Sequence, residues 1–162
     1  IADAGLFARI EATTFDALRS DTDLLTDAVS ASIRVKADIV ERDERESGDR
    51  RKLNLGHTLA HAIEKCTNRL NHGEAVAVGT ALIPDASVKL GVLAAEDRDR
   101  IAGVLKKLGF DLTPPVDVKR LLKEVDKDKK NEDGMLRIVV PVGIGDCDVR
   151  RMSHDEFAAL FA

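Results

Sequence analysis

A chain of 162 residues, 44% of them hydrophobic, is long enough for one domain with its own core. With 25 Lys+Arg against 29 Asp+Glu the formal net charge is −4, and aromatics make up 3% with no Trp or Tyr. That composition excludes a general polyanion binder and a base-stacking platform for single-stranded nucleic acid. Cys66 and Cys147 support neither a disulfide framework nor a paired-thiolate zinc site, and no run of about 18 apolar residues is present to span a membrane. A compact, soluble, cytoplasmic domain is expected, binding neither nucleic acid nor membrane.

Helices are predicted almost throughout. The chain starts at Ile1, not Met, and IADAGLFARIE enters what reads as the middle of a helical pattern, so it is read as a piece of a longer protein. A helix is predicted over 6–18. Ser20, Asp21 and Asp23 then signal the start of a longer one. Its apolar row is Leu25, Val29, Ile33, Lys36 and Val40, spaced by three and four residues. Lys36 is either an edge lysine with a packed stem and its ammonium in water, or a cation placed for use; the spacing leaves both open. The charge run 41–52 around Gly48 reads as a solvated loop or a helix end.

The third predicted helix carries LNLGHTLAHAIE, residues 53–64, and the fourth runs from Glu74 to a stop at Gly91. Pro84 lies inside the fourth, where it removes a hydrogen bond at a cost of about 3 kcal/mol, so a kink or break is predicted near Ile83. A helix over 95–108 ends at Gly109, DLTPPVD is a connector, and 118–125 forms a short helix. The strand candidate is MLRIVVPVG, 135–143, and a last helix covers 153–161. The fold class is therefore mainly α, a multi-helix domain with at most a short β pair near the C-terminus.

His57 and His61, four residues apart, point the same way on a helix, and Glu64 shares that side. In a protease-type zinc helix a glutamate follows the first histidine as general base; Thr58 stands there and cannot do that work. A hydrogen-bonded core pair is the plain alternative to a site. His72, 15 residues after His57, would be brought back alongside by an antiparallel helix pair, and converging imidazoles suit zinc, whose catalytic sites use three protein ligands. His154 sits in a polar segment and reads as a surface residue.

KADIV at 36–40, DERE at 43–46, Arg50, LNLGHTLAHAIE, HGEAVAVG, DKDKK and LRIVVPVGIG occur in the order and spacing of the 3-dehydroquinate synthase family, which the chain resembles over nearly its whole length. The resemblance implies that residues 1–162 are the C-terminal helical metal- and substrate-binding domain, with an N-terminal NAD-binding domain absent from this chain. No G-x-G-x-x-G loop occurs here. By resemblance His57 and His72 are metal ligands, and the third ligand is a glutamate shortly before the chain begins. His61 contacts substrate near the phosphate and is catalytic, as is Lys129, favoured over Lys130. Lys36, Arg50 and Asn54 join His61 and Lys129 in binding substrate.

The implied activity converts 3-deoxy-arabino-heptulosonate 7-phosphate, an acidic sugar phosphate of the shikimate pathway, to 3-dehydroquinate and phosphate, with a divalent metal (zinc or cobalt) and NAD. The full-length enzyme is expected to be a homodimer. Arginine offers a fork for carboxylate, and lysine and histidine offer point donors for phosphate. The chain alone is expected to be inactive and to hold zinc weakly, since two neutral imidazoles lack the negative ligand, and Glu64 or Glu74 is placed by its own helix and not by a metal. Departures from the family pattern are Thr80 for a methionine, Ala60 for a glycine, and Pro84 in a helix usually free of proline. The alternatives are another sugar phosphate cyclase, a metal-dependent alcohol or glycerol dehydrogenase, and a helical interaction module without an active site.

Overall fold

The structure, a computed structural model, describes residues 1–45, 48–127 and 134–162. Helices α1 (Ala4–Glu11), α2 (Phe15–Ser20) and α3 (Thr22–Arg42) lead to a 3-10 turn (Asp49–Asn54). Then come α4 (His57–Cys66), α5 (His72–Lys89), α6 (Ala95–Lys107) and α7 (Val118–Lys127). An antiparallel hairpin of β1 (Met135–Gly143) and β2 (Asp146–Ser153) precedes α8 (His154–Ala159). The mainly α reading holds, with the strand pair where it was expected.

The core forms where α4 and α5 meet α7 and the hairpin. Leu59 and Ile63 of α4, Val78 and Ile83 of α5, Leu121 of α7 and Val140 of β1 are all 1% exposed or less, and Phe157 of α8 closes the cluster. At about 1.5–3 kcal/mol for each fully buried large apolar side chain, this cluster dominates the stability. It also fixes α4 against α5, which is what the histidines need.

Several local expectations change. The helix predicted over 6–18 is two helices, because Thr14 caps α2 by accepting a hydrogen bond from the Ala17 amide, 3.2 Å away, and so ends the preceding run. On α3 the row Leu25, Val29 and Ile33 faces outward at 41%, 49% and 62% exposure. The buried side carries Ala31 and Ile39 instead, because α3 presents a second apolar row at the same spacing and the neighbouring elements pack on that one. No break follows Pro84: α5 is helical from His72 to Lys89, and Ile83, Pro84, Ala86 and Ser87 are all buried. Packing around that turn offsets the one lost hydrogen bond. β2 carries too few apolar residues to read as a strand by itself and is drawn into the sheet by pairing with β1.

His154 is not a surface residue. It is 7% exposed, the first residue of α8 after the capping box of Ser153 and Glu156, with Nδ1 3.5 Å from an Asp126 carboxylate oxygen. Its burial comes from the packing of α8 and the approach of α7, which the composition of the segment could not show.

Candidate functional site

Three imidazoles meet where α4 and α5 begin. Their positions follow from a close backbone crossing. Gly56, just before α4, has φ +80, a left-handed conformation that glycine adopts without strain. A Cβ there would lie 2.5 Å from Thr80 Oγ1 and 2.7 Å from the Thr80 amide nitrogen, and a Cβ on Gly79 would lie 2.2 Å from the Gly56 carbonyl oxygen. The two helices touch backbone to backbone because neither glycine has a side chain. The glycines of the GH and AVAVG segments thus have a steric role that sequence reading did not assign.

The ring centroids of His57 and His72 are 5.4 Å apart, those of His57 and His61 5.8 Å, and those of His61 and His72 6.4 Å. A zinc–nitrogen bond of about 2.0–2.1 Å puts a ring centroid about 3.2 Å from the ion, so two imidazoles at a tetrahedral angle stand about 5.2 Å apart. His57 and His72 fit that spacing and His61 fits it less well. Among the described residues no set of three His, Cys, Asp or Glu side chains converges closely enough to hold a metal ion by itself.

The nitrogens are already sorted. His57 Nδ1 lies 3.2 Å from the Leu55 carbonyl oxygen, and His72 Nδ1 lies 2.9 Å from Glu64 Oε1. Each acceptor requires a proton on Nδ1, leaving Nε2 with the lone pair a metal uses. Glu74 is committed elsewhere: its carboxylate accepts from the Asn71 amide while Asn71 Oδ1 accepts from the Glu74 amide, a reciprocal cap that starts α5 at His72.

Among the described residues, the other sequence-predicted ones lie on other elements, and no contact brings Lys36 or Arg50 to the imidazoles. Asn54 is not on the histidine helix as expected but in the 3-10 turn before it, because the left-handed Gly56 separates the two elements. Arg50 is in the same turn, half-buried, with Nη1 donating to the Glu44 carbonyl at 2.8 Å. Asp43, buried at 9%, orders this loop by accepting from the amides of Gly48 and Arg50 at 2.7 and 3.1 Å. Nothing in its motif marked Asp43 as the organiser.

Arg51 and Lys52 face a cleft of about 340 Å³, opposite Arg137 and Arg151 of the hairpin. Lys36 is exposed on α3 and lines a largely apolar cleft of about 400 Å³ with Ile1, Phe7, Val35 and Leu53. Leu53 joins that cleft to the turn carrying Arg50 and Asn54. Lys129 and Lys130 lie outside the described residues.

The structure thus presents two imidazoles at zinc-ligand spacing, one of them on a helix preceded by a turn that bears arginine and asparagine. The comparisons with known proteins give the class. The family model described as 3-dehydroquinate synthase C-terminal matches residues 1–131, and the chain belongs to that family. Curated 3-dehydroquinate synthases are similar to it: that of Ruegeria pomeroyi is 42% identical over 156 residues, and that of Nitrosospira multiformis is 41% identical over 148. Each alignment covers 90% of this chain but 42% and 40% of the relative, so the chain spans about two fifths of the length of the relatives it matches.

Solved structures share the fold. A 2-epi-5-epi-valiolone synthase from Streptomyces hygroscopicus subsp. jinggangensis, with NAD+ and Zn2+ bound, superposes with a TM-score of 0.83 at 22% identity, covering 99% of this chain and 46% of that one. A 2-deoxy-scyllo-inosose synthase complexed with carbaglucose-6-phosphate, NAD+ and Co2+ gives 0.75 at 19% identity, covering 97% and 49%.

Proposed function

We propose that this chain is the metal- and substrate-binding domain of a 3-dehydroquinate synthase, which converts 3-deoxy-arabino-heptulosonate 7-phosphate to 3-dehydroquinate and phosphate. The observation that carries the reading is the His57–His72 pair, 5.4 Å apart with both Nδ1 atoms engaged and both Nε2 atoms left to a ligand. Family membership supplies the substrate class. In this reading His57 and His72 hold a divalent cation, zinc or cobalt, which when bound polarises hydroxyl and carbonyl oxygens. The third ligand and the NAD site belong to the part of the relatives' length that this chain does not span.

The chain's own residues do the binding. Arg50, held in place through its backbone by Asp43, offers a fork for the carboxylate, with Lys36 as a second cation for the anionic substrate. His61, stacked at 26° against His72 and exposed, is in this reading not a ligand but a donor to the phosphate that exchanges a proton there. Asn54 adds a neutral donor, and Lys129 another cation for the phosphate. Hydride transfer is the nicotinamide's chemistry, and no residue here is assigned to it. The complete enzyme is read as a cytoplasmic homodimer; among the described residues no helix is long and apolar enough to cross a membrane.

A related sugar phosphate cyclase is the second reading, favoured by the fold likeness to the valiolone and inosose synthases. The identities of 41–42% to dehydroquinate synthases against 19–22% to those structures favour the first. The test is the complete enzyme supplied with 3-deoxy-arabino-heptulosonate 7-phosphate, NAD and zinc. Release of phosphate with formation of 3-dehydroquinate is expected, and a different carbocycle, or no turnover, overturns the reading. Arg50→Ala should raise KM or lower kcat severely with an unchanged circular dichroism spectrum; unaltered kinetics would remove Arg50 from the site.

A further inference from the structure

We propose that Glu64 is a positioning residue: its carboxylate, 2.9 Å from His72 Nδ1, fixes that ring's tautomer and direction so that Nε2 faces the cation. The inference rests on reading His57 and His72 as metal ligands. His72 needs such a device more than His57 does. As the first residue of α5, its side chain is 57% exposed, with little packing to hold it. An imidazole in that state samples several rotamers and both tautomers, and only one combination presents Nε2 to the centre. His57, half-buried, is oriented by the Leu55 carbonyl of its own approach to α4.

The placement of Glu64 gives it a second effect. It lies seven residues after His57 and three after His61, so all three share one face of α4. Its hydrogen bond crosses to α5, which means that one helix carries a ligand and also the group that aims the other ligand. The start of α5 presents the positive end of a helix dipole, which disfavours a nearby cation. A carboxylate one imidazole away offsets that field. Glu64 is therefore not the missing third ligand: Oε1 is committed to Nδ1, on the side of the ring away from Nε2.

Two measurements on the protein test this. In metal-free, 15N-labelled protein, at a pH where the imidazoles are neutral, long-range proton–nitrogen correlation should show His72 with its proton on Nδ1. Glu64→Ala should release the ring to a mixture or to the Nε2–H form. Glu64→Gln, whose amide oxygen still accepts, should keep the wild-type signature. Zinc titration of the complete enzyme by calorimetry should show affinity falling about ten- to hundredfold in Glu64→Ala and less in Glu64→Gln. His72 already in the Nε2–H form in the wild type, or a Glu64→Ala variant that alters neither tautomer nor affinity, overturns the proposal. So does a Glu64→Gln variant as weak as Glu64→Ala with the tautomer intact, which would make Glu64 a direct ligand. Zinc affinity unchanged in His72→Ala would instead overturn the metal reading, whatever the tautomer result.

Discussion

The α4–α5 crossing and the α1–α6 contact hold their elements together in opposite ways. At the crossing, backbone rests on backbone through Gly56 and Gly79, and a single methyl has nowhere to go. At the other contact Arg100 reaches Glu11 with a forked pair of hydrogen bonds, 2.9 and 2.8 Å, while Lys107 donates to the Glu11 carbonyl and the Arg100 guanidinium lies 5.4 Å from the centre of the Phe7 ring. Those are long, partly exposed side chains that can re-aim if the helices shift. Steric contact fixes a distance, whereas a surface ion pair tolerates a range and adds little stability. One contact therefore holds the two imidazole rings at a set 5.4 Å, and the other keeps α1 docked on α6 while allowing adjustment.

The largest expected effect comes from breaking the fixed side. Gly79→Ala puts a Cβ 2.2 Å from the Gly56 carbonyl oxygen, a backbone atom that cannot swing away. A cost of about 3 kcal/mol is expected. Thermal unfolding should drop by roughly 6–12 °C, since each kcal/mol shifts a domain of this size by about 2–4 °C. Zinc affinity should fall with it, because the two imidazoles are pushed apart. A stable Gly79→Ala variant with unchanged zinc binding would show that the crossing is looser than its geometry.

Gly56→Ala should cost somewhat less, about 2 kcal/mol, combining the penalty of a left-handed residue with contacts on the movable Thr80 hydroxyl at 2.5 Å and on the Thr80 amide nitrogen at 2.7 Å. The double variant with Thr80→Ala sharpens this: part of the loss should return, leaving the backbone term. Asn71→Ala removes one half of the α5 cap and should cost about 1 kcal/mol by chemical denaturation. Because that cap sets where His72 enters the helix, the Nδ1 contact to Glu64 should weaken in the same variant, readable from the His72 nitrogen shifts.

The smallest effect belongs to the tolerant side. The hydrogen bond from Arg100 holds the Glu11 carboxyl below its ordinary value, against a smaller opposing effect of burial. A depressed carboxylate contributes stability that is present above the unfolded value, about 4.3, and is lost as pH falls through the folded one. The melting difference between wild type and Glu11→Gln should therefore be small at neutral pH and vanish in acid. A difference that grew on acidification would reverse the assigned sign. Neither neutral-pH value should approach the loss in Gly79→Ala.

Much of this molecule was legible in its sequence. Periodicity, caps and glycine stops placed α3 to α7 within a few residues, and the strand run at 135–143 stood out by its β-branched residues. The spacing of His57 and His61 put both on one helix face, and the motif order named the family. Which of two apolar rows on α3 faces the core was not legible, since Leu25, Val29 and Ile33 repeat at the same interval as the row that packs. Nor was the burial of His154, the survival of α5 through Pro84, or the pairing of β2, because each depends on residues far away in the chain.

What the sequence determined by itself was local: the helices, their starts and stops, and the types of side chain they carry. Tertiary structure alone decided that His72 returns to 5.4 Å from His57, that Glu64 is spent on His72, and that Arg50 hangs from Asp43. The physical reason is range. Propensity and capping act over three or four residues, while a ligand-to-ligand distance is set by how two helices pack, and here that packing distance is fixed by two glycines 23 positions apart whose missing side chains let the backbones meet.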